Sequence, residues 1–406
     1  MELIVVKFGG TSIGDGERIK KAAQSVINEY MKGNKVVVVV SAINKTTDDL
    51  VKIIETSVGD SISNKQMAEI LSVGEMTSVR IFSATIESLG VKSIYIDPYN
   101  ENWPILTDNN FVDAHIDIEE SIKQSDKLNN IIEQGIIPVI SGFLGKSKNG
   151  HITTLGRGGS DTTAFFLANI LNANQIIIVT DVSGVMTSDP NQIKDVEKLD
   201  KISVEEMMDL AISGAKVLHP NALKYKNHLL SAKIIGYESG NLSENGTIIT
   251  GPVEGDMLSY STLYPDPITL LSVVGANIIK NVGLLAELAV ILAKSNINIF
   301  GVSTGQNSIT LFVSKKDAFD AHSILHEAII KNNTLNSLSV GKKIAMLTFV
   351  SPGFIETPGI ISDITEPLRK NEINIIEISS SQTAITVFVD WNDGEKAYKL
   401  IKEVLE

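Results

Sequence analysis

Four short apolar runs constrain this chain more than any other feature. Leu3–Val6, Val36–Val40, Ile136–Ile140 and Ile176–Val179 are continuous stretches of Leu, Ile and Val, one of them broken by a proline, with no polar alternation. Such runs suit strands covered on both faces. Segments of helical spacing separate them. Glu17–Met31 carries Ile19, Ala22, Ala23, Val26 and Ile27 on one face, and Asp48–Ser57, Lys65–Leu89, Leu128–Gln134 and Thr162–Leu171 read as further helices. Alternating strand and helix implies an α/β domain on a mainly parallel sheet. The runs open into Lys7, Ser41, Gly142 and Thr180. Ligands of open parallel sheets bind beyond the carboxyl ends of the strands, so several loops are aimed at one ligand.

The most concentrated of these loops is Thr153-Thr154-Leu155-Gly156-Arg157-Gly158-Gly159-Ser160-Asp161. Glycines admit a bound group close to the backbone, and the helix that follows offers N–H groups and a positive dipole end to an anion. A helix cap alone needs only Ser160 or Asp161 and one glycine, which accounts for half the stretch. Arg157 and Ser160 suit a carboxylate, a fork and a hydroxyl donor, the alternative being a surface arginine. Lys7, ahead of Gly9 and Gly10, is either a cation for polyphosphate or a solvated lysine before a turn. Asp161 either orients Lys7 or is an ordinary first-turn helix acid. Glu75, between Gly74 and Met76 in a helix, could receive an ammonium, but by itself reads better as an exposed helix acid. Thr180 and Asp181 end a buried strand where a nucleotide would lie, and Asp189-Pro190-Asn191 reads as a turn. Lys216 is a phosphate partner or, with His219, a plain helix-end charge.

Composition narrows the chemistry. With 406 residues the chain has room for two or three domains. A net charge of −13 argues against nucleic acid or an anionic membrane as partner, and makes each cation in a glycine-rich loop more informative. The absence of cysteine excludes disulfides, thiolate zinc sites and thiol nucleophiles. The six histidines are read as lacking a metal-ligand spacing, so no metal is expected from protein groups alone. The chain opens directly into a strand-like run, read as no signal peptide, and no apolar run approaches the length of a bilayer span. A cytoplasmic location is the expectation.

The last third differs in kind. Gly283–Leu292, Ile297–Thr304 and Ile309–Val313 read as helix, strand, strand, and the pattern returns in Gly359–Leu368, Ile373–Ser380 and Ile385–Val389 at a constant offset of 76. Ile297-Asn298-Ile299 matches Ile373-Asn374-Ile375, and Ile309-Thr310 matches Ile385-Thr386. Two small α/β units are therefore repeated. Each begins with a strand (Thr269–Val274, Ile344–Val350) and ends with a helix (Asp317–Lys331, Gly394–Leu405). The second unit lacks a closing strand. Met257–Leu263 is a spare strand-like segment, so the first unit is expected to be inserted inside the second.

Taken in order, Lys7-Phe8-Gly9-Gly10-Thr11-Ser12, Ser41-Ala42, Gly74-Glu75, the glycine-arginine stretch, Thr180-Asp181-Val182 and Lys216-Val217-Leu218-His219-Pro220 resemble the monofunctional aspartokinases. The resemblance implies a three-layer α/β/α amino acid kinase domain over 1–253. It further implies two ferredoxin-like βαββαβ ACT domains, one at 268–340 and one formed by 256–264 plus 342–406. It implies transfer of the ATP γ-phosphoryl, with Mg²⁺, to the β-carboxylate of L-aspartate. Lys7 and Asp161 would be catalytic. Ser41, Thr47, Glu75, Phe143, Arg157, Gly158, Gly159 and Ser160 would surround aspartate. Lys7, Phe8, Gly9, Gly10, Ser12, Thr180, Asp181, Met186, Lys216 and Val217 would line the ATP site. Asn281, Gly283, Leu284, Leu285, Ile299, Ser303, Thr304 and Gln306 would form an effector site for threonine or lysine, and the ACT domains would join a homodimer or larger assembly. Relatives commonly carry Tyr where Met186 stands and Arg where Asn191 stands. Lysine-inhibited ones carry acidic residues near Phe300 and Gln306. The competing readings are another amino acid or carbamate kinase of the same fold, and a catalytically silent amino-acid sensor.

Overall fold

The computed structural model describes the chain apart from residues 189–192, 194, 213–217, 252–259, 333, 352–353, 355–357, 382 and 406, and apart from the side chains of Asp60, Ile212, Tyr260 and Ile279. The chain divides into two compact units, Met1–Met257 and Leu258–Glu406.

The apolar runs of the first unit become the middle of an eight-stranded sheet. Its strands are β1 (Leu3–Phe8), β2 (Lys35–Val40), β3 (Ser93–Ile96), β5 (Ile137–Ser141), β8 (Gln175–Thr180), β9 (Lys201–Ser203), β10 (Ser231–Gly236) and β11 (Thr247–Thr250), and they stand in the order β3-β5-β2-β1-β8-β10-β11-β9. All neighbours are parallel except β10 and β11. A small sheet, β4 (Leu106–Thr107), β6 (Leu144–Ser147) and β7 (Ile152–Thr154), stands apart. The helices are α1 (Gly16–Met31), α2 (Thr46–Ser57), α3 (Asn64–Ser88), α4 (Ile118–Glu133), α5 (Gly159–Ile170), α6 (Val204–Ile212) and α7 (Pro220–Leu223). Ile4, Val6 and Phe8 share a core with Ile19, Ala23 and Val26 of α1 and with Val79, Phe82 and Ile86 of α3. Residues 5 and 7 point to the opposite face, where α5 packs on β1 and β8. That makes three layers, with β1 in the centre.

Three differences from the sequence reading have local causes. Helix α4 begins ten residues before Leu128, at Ile118, where Asp117 caps the Glu120 N–H at 3.2 Å. Its first turns carry Glu119, Glu120 and Lys123 around exposed Ile118 and Ile122, which hides the apolar stripe. The short strands β4, β6, β7, β9 and β11 escape a reading based on long apolar runs, as do β10, whose apolar run is only Ile234-Ile235, and the one-turn α7. Glu75, read as an exposed helix acid, is buried at 4% exposure.

The second unit contains β12 (Tyr260–Leu263), β13 (Ile268–Gly275), α8 (Leu284–Lys294), β14 (Ile299–Thr304), β15 (Ser308–Ser314), α9 (Ala318–Lys331), β16 (Leu335–Val350), α10 (Ile360–Lys370), β17 (Ile375–Ser380), β18 (Ala384–Asp390) and α11 (Gly394–Leu405). The sequence repeat reappears as register. Thr269 pairs with Val313 as Ala345 pairs with Val389. The same bulge falls between Ile299 and Gly301 and between Ile375 and Glu377. Strand β16 is longer than the expected Ile344–Val350: its first half pairs with β13 and its second half with β18 and β12. A shared apolar cluster joins Ile268, Phe312, Ile344 and Phe388, two pairs of equivalent residues, with the phenylalanine rings stacked at 4.5 Å. His322 and His326 stand four apart on α9 with their rings 6.3 Å apart, a His-x-x-x-His spacing the sequence reading passed over. Among the described residues they acquire no third partner able to complete a metal site. Among the described residues, too, no helix is long and apolar enough to cross a membrane.

Candidate active site

Beyond the carboxyl ends of β1, β2 and β5 lies a cleft of about 270 Å³ lined by Lys7, Ser41, Thr47, Glu75, Phe143 and the run Gly156–Asp161. Ten residues named from the sequence as catalytic or aspartate-binding thus surround one space, although they come from six separate segments of chain. At its floor Lys7 Nζ meets Asp161 Oδ1 at 2.6 Å, both side chains being 12% exposed. Lys7 is placed by the end of β1 and Asp161 by the first turn of α5. The pair is therefore built across the β1–α5 packing: Lys7 is not the solvated lysine of the simpler reading, and Asp161 is a first-turn helix acid that also faces Lys7.

The glycine-arginine loop is held by its neighbours. Gly158 caps α5 with φ +69°, and a Cβ there would stand 2.0 Å from His219 Cβ, so only glycine fits. Thr162 N–H donates to Gly158 O at 3.0 Å and opens the helix, leaving the Ser160 and Asp161 N–H groups in the first turn, where no intrahelical acceptor exists. A Cβ on Gly142 would fall 2.6 Å from Ser160 Cβ, so the end of β5 and the start of α5 touch backbone to side chain. Between them Phe143 adopts φ +66°, an unfavourable conformation for an aromatic residue, and its carbonyl accepts the Leu155 N–H at 2.8 Å. Arg157 is exposed at the rim.

Glu75 faces the cleft from α3. Burial pushes its carboxyl up to about 8, against the Ala42 N–H and Lys7, which both favour the ionised form. Its Oε2 has no hydrogen-bond partner. Ser78, one turn further along α3, donates to Ser41 O at 2.7 Å and ties the helix to the loop after β2.

Lys7 apart, the described residues expected at the nucleotide lie beside this cleft rather than lining it. Gly9 N–H donates to Val179 O at 3.1 Å, which joins the Lys7–Gly10 turn to the end of β8, where Thr180 and Asp181 stand with Thr180 Oγ1 donating to Asp181 at 3.1 Å. The Phe8 ring is buried against Phe82 at 5.4 Å, and Ser12 Oγ donates to Val179 O at 3.1 Å, so both side chains serve the core. Met186 is half-buried and bridges to Lys198. Lys216, Val217 and Asn191, with the turn Asp189-Pro190-Asn191, lie outside the described residues. Of the effector residues, Gly283 caps α8 with φ +86°, Leu284 is buried in the core of the first repeat, Leu285 is 38% exposed, and Ile299, Ser303 and Thr304 belong to β14. Asn281 Nδ2 donates to Thr334 Oγ1 at 2.8 Å, and Gln306 is exposed in the turn before β15.

Comparison with known proteins agrees with this architecture. Residues 2–235 match the amino acid kinase family, and residues 271–329 and 339–403 each match an ACT domain. Aspartokinase 2 of Bacillus subtilis is 34% identical over 415 residues, covering 100% of this chain and 98% of that protein. The crystal structure of aspartate kinase from Synechocystis superposes with a TM-score of 0.81 at 27% identity, covering 98% of this chain and 69% of that one. Aspartokinase III of E. coli, solved in complex with aspartate and ADP, shares the fold at a TM-score of 0.56 and 24% identity, with full coverage of both chains. The fold is thus that of an amino acid kinase domain followed by two ACT domains. Within that class the chain belongs to the aspartokinase family.

Proposed function

We propose that this chain catalyses transfer of the ATP γ-phosphoryl to the β-carboxylate of L-aspartate, giving 4-phospho-L-aspartate. This is the step that commits aspartate to lysine, threonine and methionine. The observation that carries the reading is the cleft itself, where the Lys7–Asp161 pair, Glu75 and Arg157 line one space.

Each group has a task that follows from its chemistry. Arg157 presents a planar fork to a carboxylate, with the Ser160 hydroxyl beside it. Glu75 receives the α-ammonium: an incoming cation favours the carboxylate over the buried acid, so binding draws its pKa down from about 8. Together they distinguish an amino acid from a simple diacid. Ser41, Thr47 and Phe143 close the remaining walls, and Gly158 and Gly159 bring backbone to the substrate. Lys7, oriented by Asp161, places positive charge where it develops on the transferring phosphoryl. The attacking carboxylate is already ionised at neutral pH, so no general base is required.

The nucleotide would lie along the Lys7–Gly10 turn and the end of β8, by Ser12, Thr180, Asp181 and Met186, with Lys216 and Val217 completing the set. A Mg²⁺ would be held chiefly by the phosphate oxygens of ATP. Bound there, it would supply positive charge that offsets the phosphates. Regulation would pass through the two ACT domains, 268–340 and 256–264 plus 342–406, by threonine or lysine at the residues around Gly283 and β14, in a homodimer or larger assembly.

Hydroxylamine trapping tests the reaction: purified enzyme with ATP, Mg²⁺ and aspartate should yield aspartyl hydroxamate. No acyl phosphate from aspartate, in a preparation that binds ATP, would sink the proposal.

A further inference from the structure

Strand β5 reads Ile137-Pro138-Val139-Ile140-Ser141, apolar until its last residue. Ser141 is fully buried, and its Oγ has no hydrogen-bond partner. An unpaired hydroxyl costs stability that alanine would spare, so its presence at the end of a ligand-facing strand calls for a partner that arrives from outside.

Position identifies that partner. Ser141 pairs with Val40, and Val40 and Val139 belong to the core formed with α3, so Ser141 faces α3. Its level along α3 follows from two hydrogen bonds at the other end of the strand. Ser83 Oγ meets Ser93 Oγ at 2.9 Å, and Ser93 Oγ donates to Ile137 O at 2.9 Å. From Ile137 to Ser141 the strand climbs roughly 13 Å at about 3.3 Å per residue. From Ser83 to Glu75 the helix climbs roughly 12 Å at about 1.5 Å per residue. Glu75 is therefore level with Ser141, and both carry a buried oxygen without a partner, Glu75 Oε2 and Ser141 Oγ. The carboxylate also receives the Ala42 N–H, from the loop just beyond the strand that pairs with β5.

We infer that Ser141 and Glu75 form one polar niche beneath the cleft, and that the Ser141 hydroxyl is a second acceptor for the substrate's α-ammonium. An ammonium carries three donors and one carboxylate oxygen satisfies only one of them; a neutral hydroxyl supplies another acceptor without adding charge. The inference rests on the aspartate reading of the cleft and adds a residue to it that sequence motifs do not mark.

Calorimetric titration of the full chain with aspartate, and with succinate, which keeps both carboxylates and lacks the ammonium, separates the possibilities. Ser141→Ala should weaken aspartate about tenfold, the loss of one hydrogen bond. It should leave succinate within about twofold, and the KM for ATP and kcat should be little changed. Ser141→Thr, which keeps the hydroxyl, should recover most of the aspartate affinity. Glu75→Gln is the companion and should weaken aspartate more than Ser141→Ala does, again sparing succinate. If Ser141→Ala leaves aspartate unchanged, or weakens aspartate and succinate together, the role of Ser141 is wrong while the functional reading stands on Glu75→Gln. If the unaltered chain binds no aspartate, the functional reading fails and this inference with it.

Discussion

The two units of this chain use burial in opposite ways. In the first, polar groups are buried and left unsatisfied at one place: Glu75 Oε2 and Ser141 Oγ have no partner, and Lys7 and Asp161 face each other in near-complete burial. In the second, what is buried at the centre is apolar and duplicated, Ile268 with Ile344 and Phe312 with Phe388. A site of the first kind sacrifices stability to be ready for charge. A core of the second kind holds two copies of one unit in register and asks nothing of a ligand. Residues of the first unit should thus show their effects in turnover and pH dependence, and residues of the second in melting.

The sharpest break of that contrast is Lys7→Ala. It should lower kcat by at least ~100-fold, about 3 kcal/mol of transition-state stabilisation, with little change in thermal unfolding of the second unit. Near-normal turnover would remove Lys7 from the chemistry. In the second unit, Phe312→Ala and Phe388→Ala should each cost about 3 kcal/mol by denaturant unfolding, and the two should agree because the residues are equivalent. Unequal costs would show that the repeat is symmetric in register but not in energy.

Glu75 gives the contrast a pH signature. Its carboxyl titrates near 8 in the folded chain and at about 4.5 when exposed, so the folded state holds the extra proton between those values. Stability then falls as pH rises across that window. Glu75→Gln should therefore be the more stable protein at pH 8, by on the order of 4 kcal/mol, with the gap shrinking toward pH 5. A gap independent of pH would mean that Glu75 is ionised in the empty site. The smallest effect belongs to the repeat. Asn296 and Glu372 occupy the same left-handed turn, each at φ 57°, and asparagine tolerates that conformation better than glutamate. Glu372→Asn should stabilise by roughly 0.5 kcal/mol. A destabilised variant would show that Glu372 makes a contact its counterpart lacks.

Much of this molecule was legible before folding. Buried parallel strands announce themselves as unbroken Val and Ile, which is why β1, β2, β5 and β8 were read within a residue or two of their ends. Short strands such as β6 and β7 carry too few residues for a period, and α4 hides its apolar stripe among acids. The repeat was readable because its two copies retain the same spacing of apolar residues down to the bulge. Lys7, Arg157 and Ser160 were legible from their glycine neighbours.

Glu75 and Ser141 divide the two kinds of knowledge. The sequence by itself determined the alternating α/β order, the duplicated second unit and the identity of the loops at the strand ends, since these follow from local pattern. Whether a given carboxylate is an exposed helix acid or a buried one depends on which strand its helix lies against. That is a matter of packing between residues dozens of positions apart, and only the tertiary structure decided it. The same packing turned the last residue of an apolar strand into a buried hydroxyl without a partner.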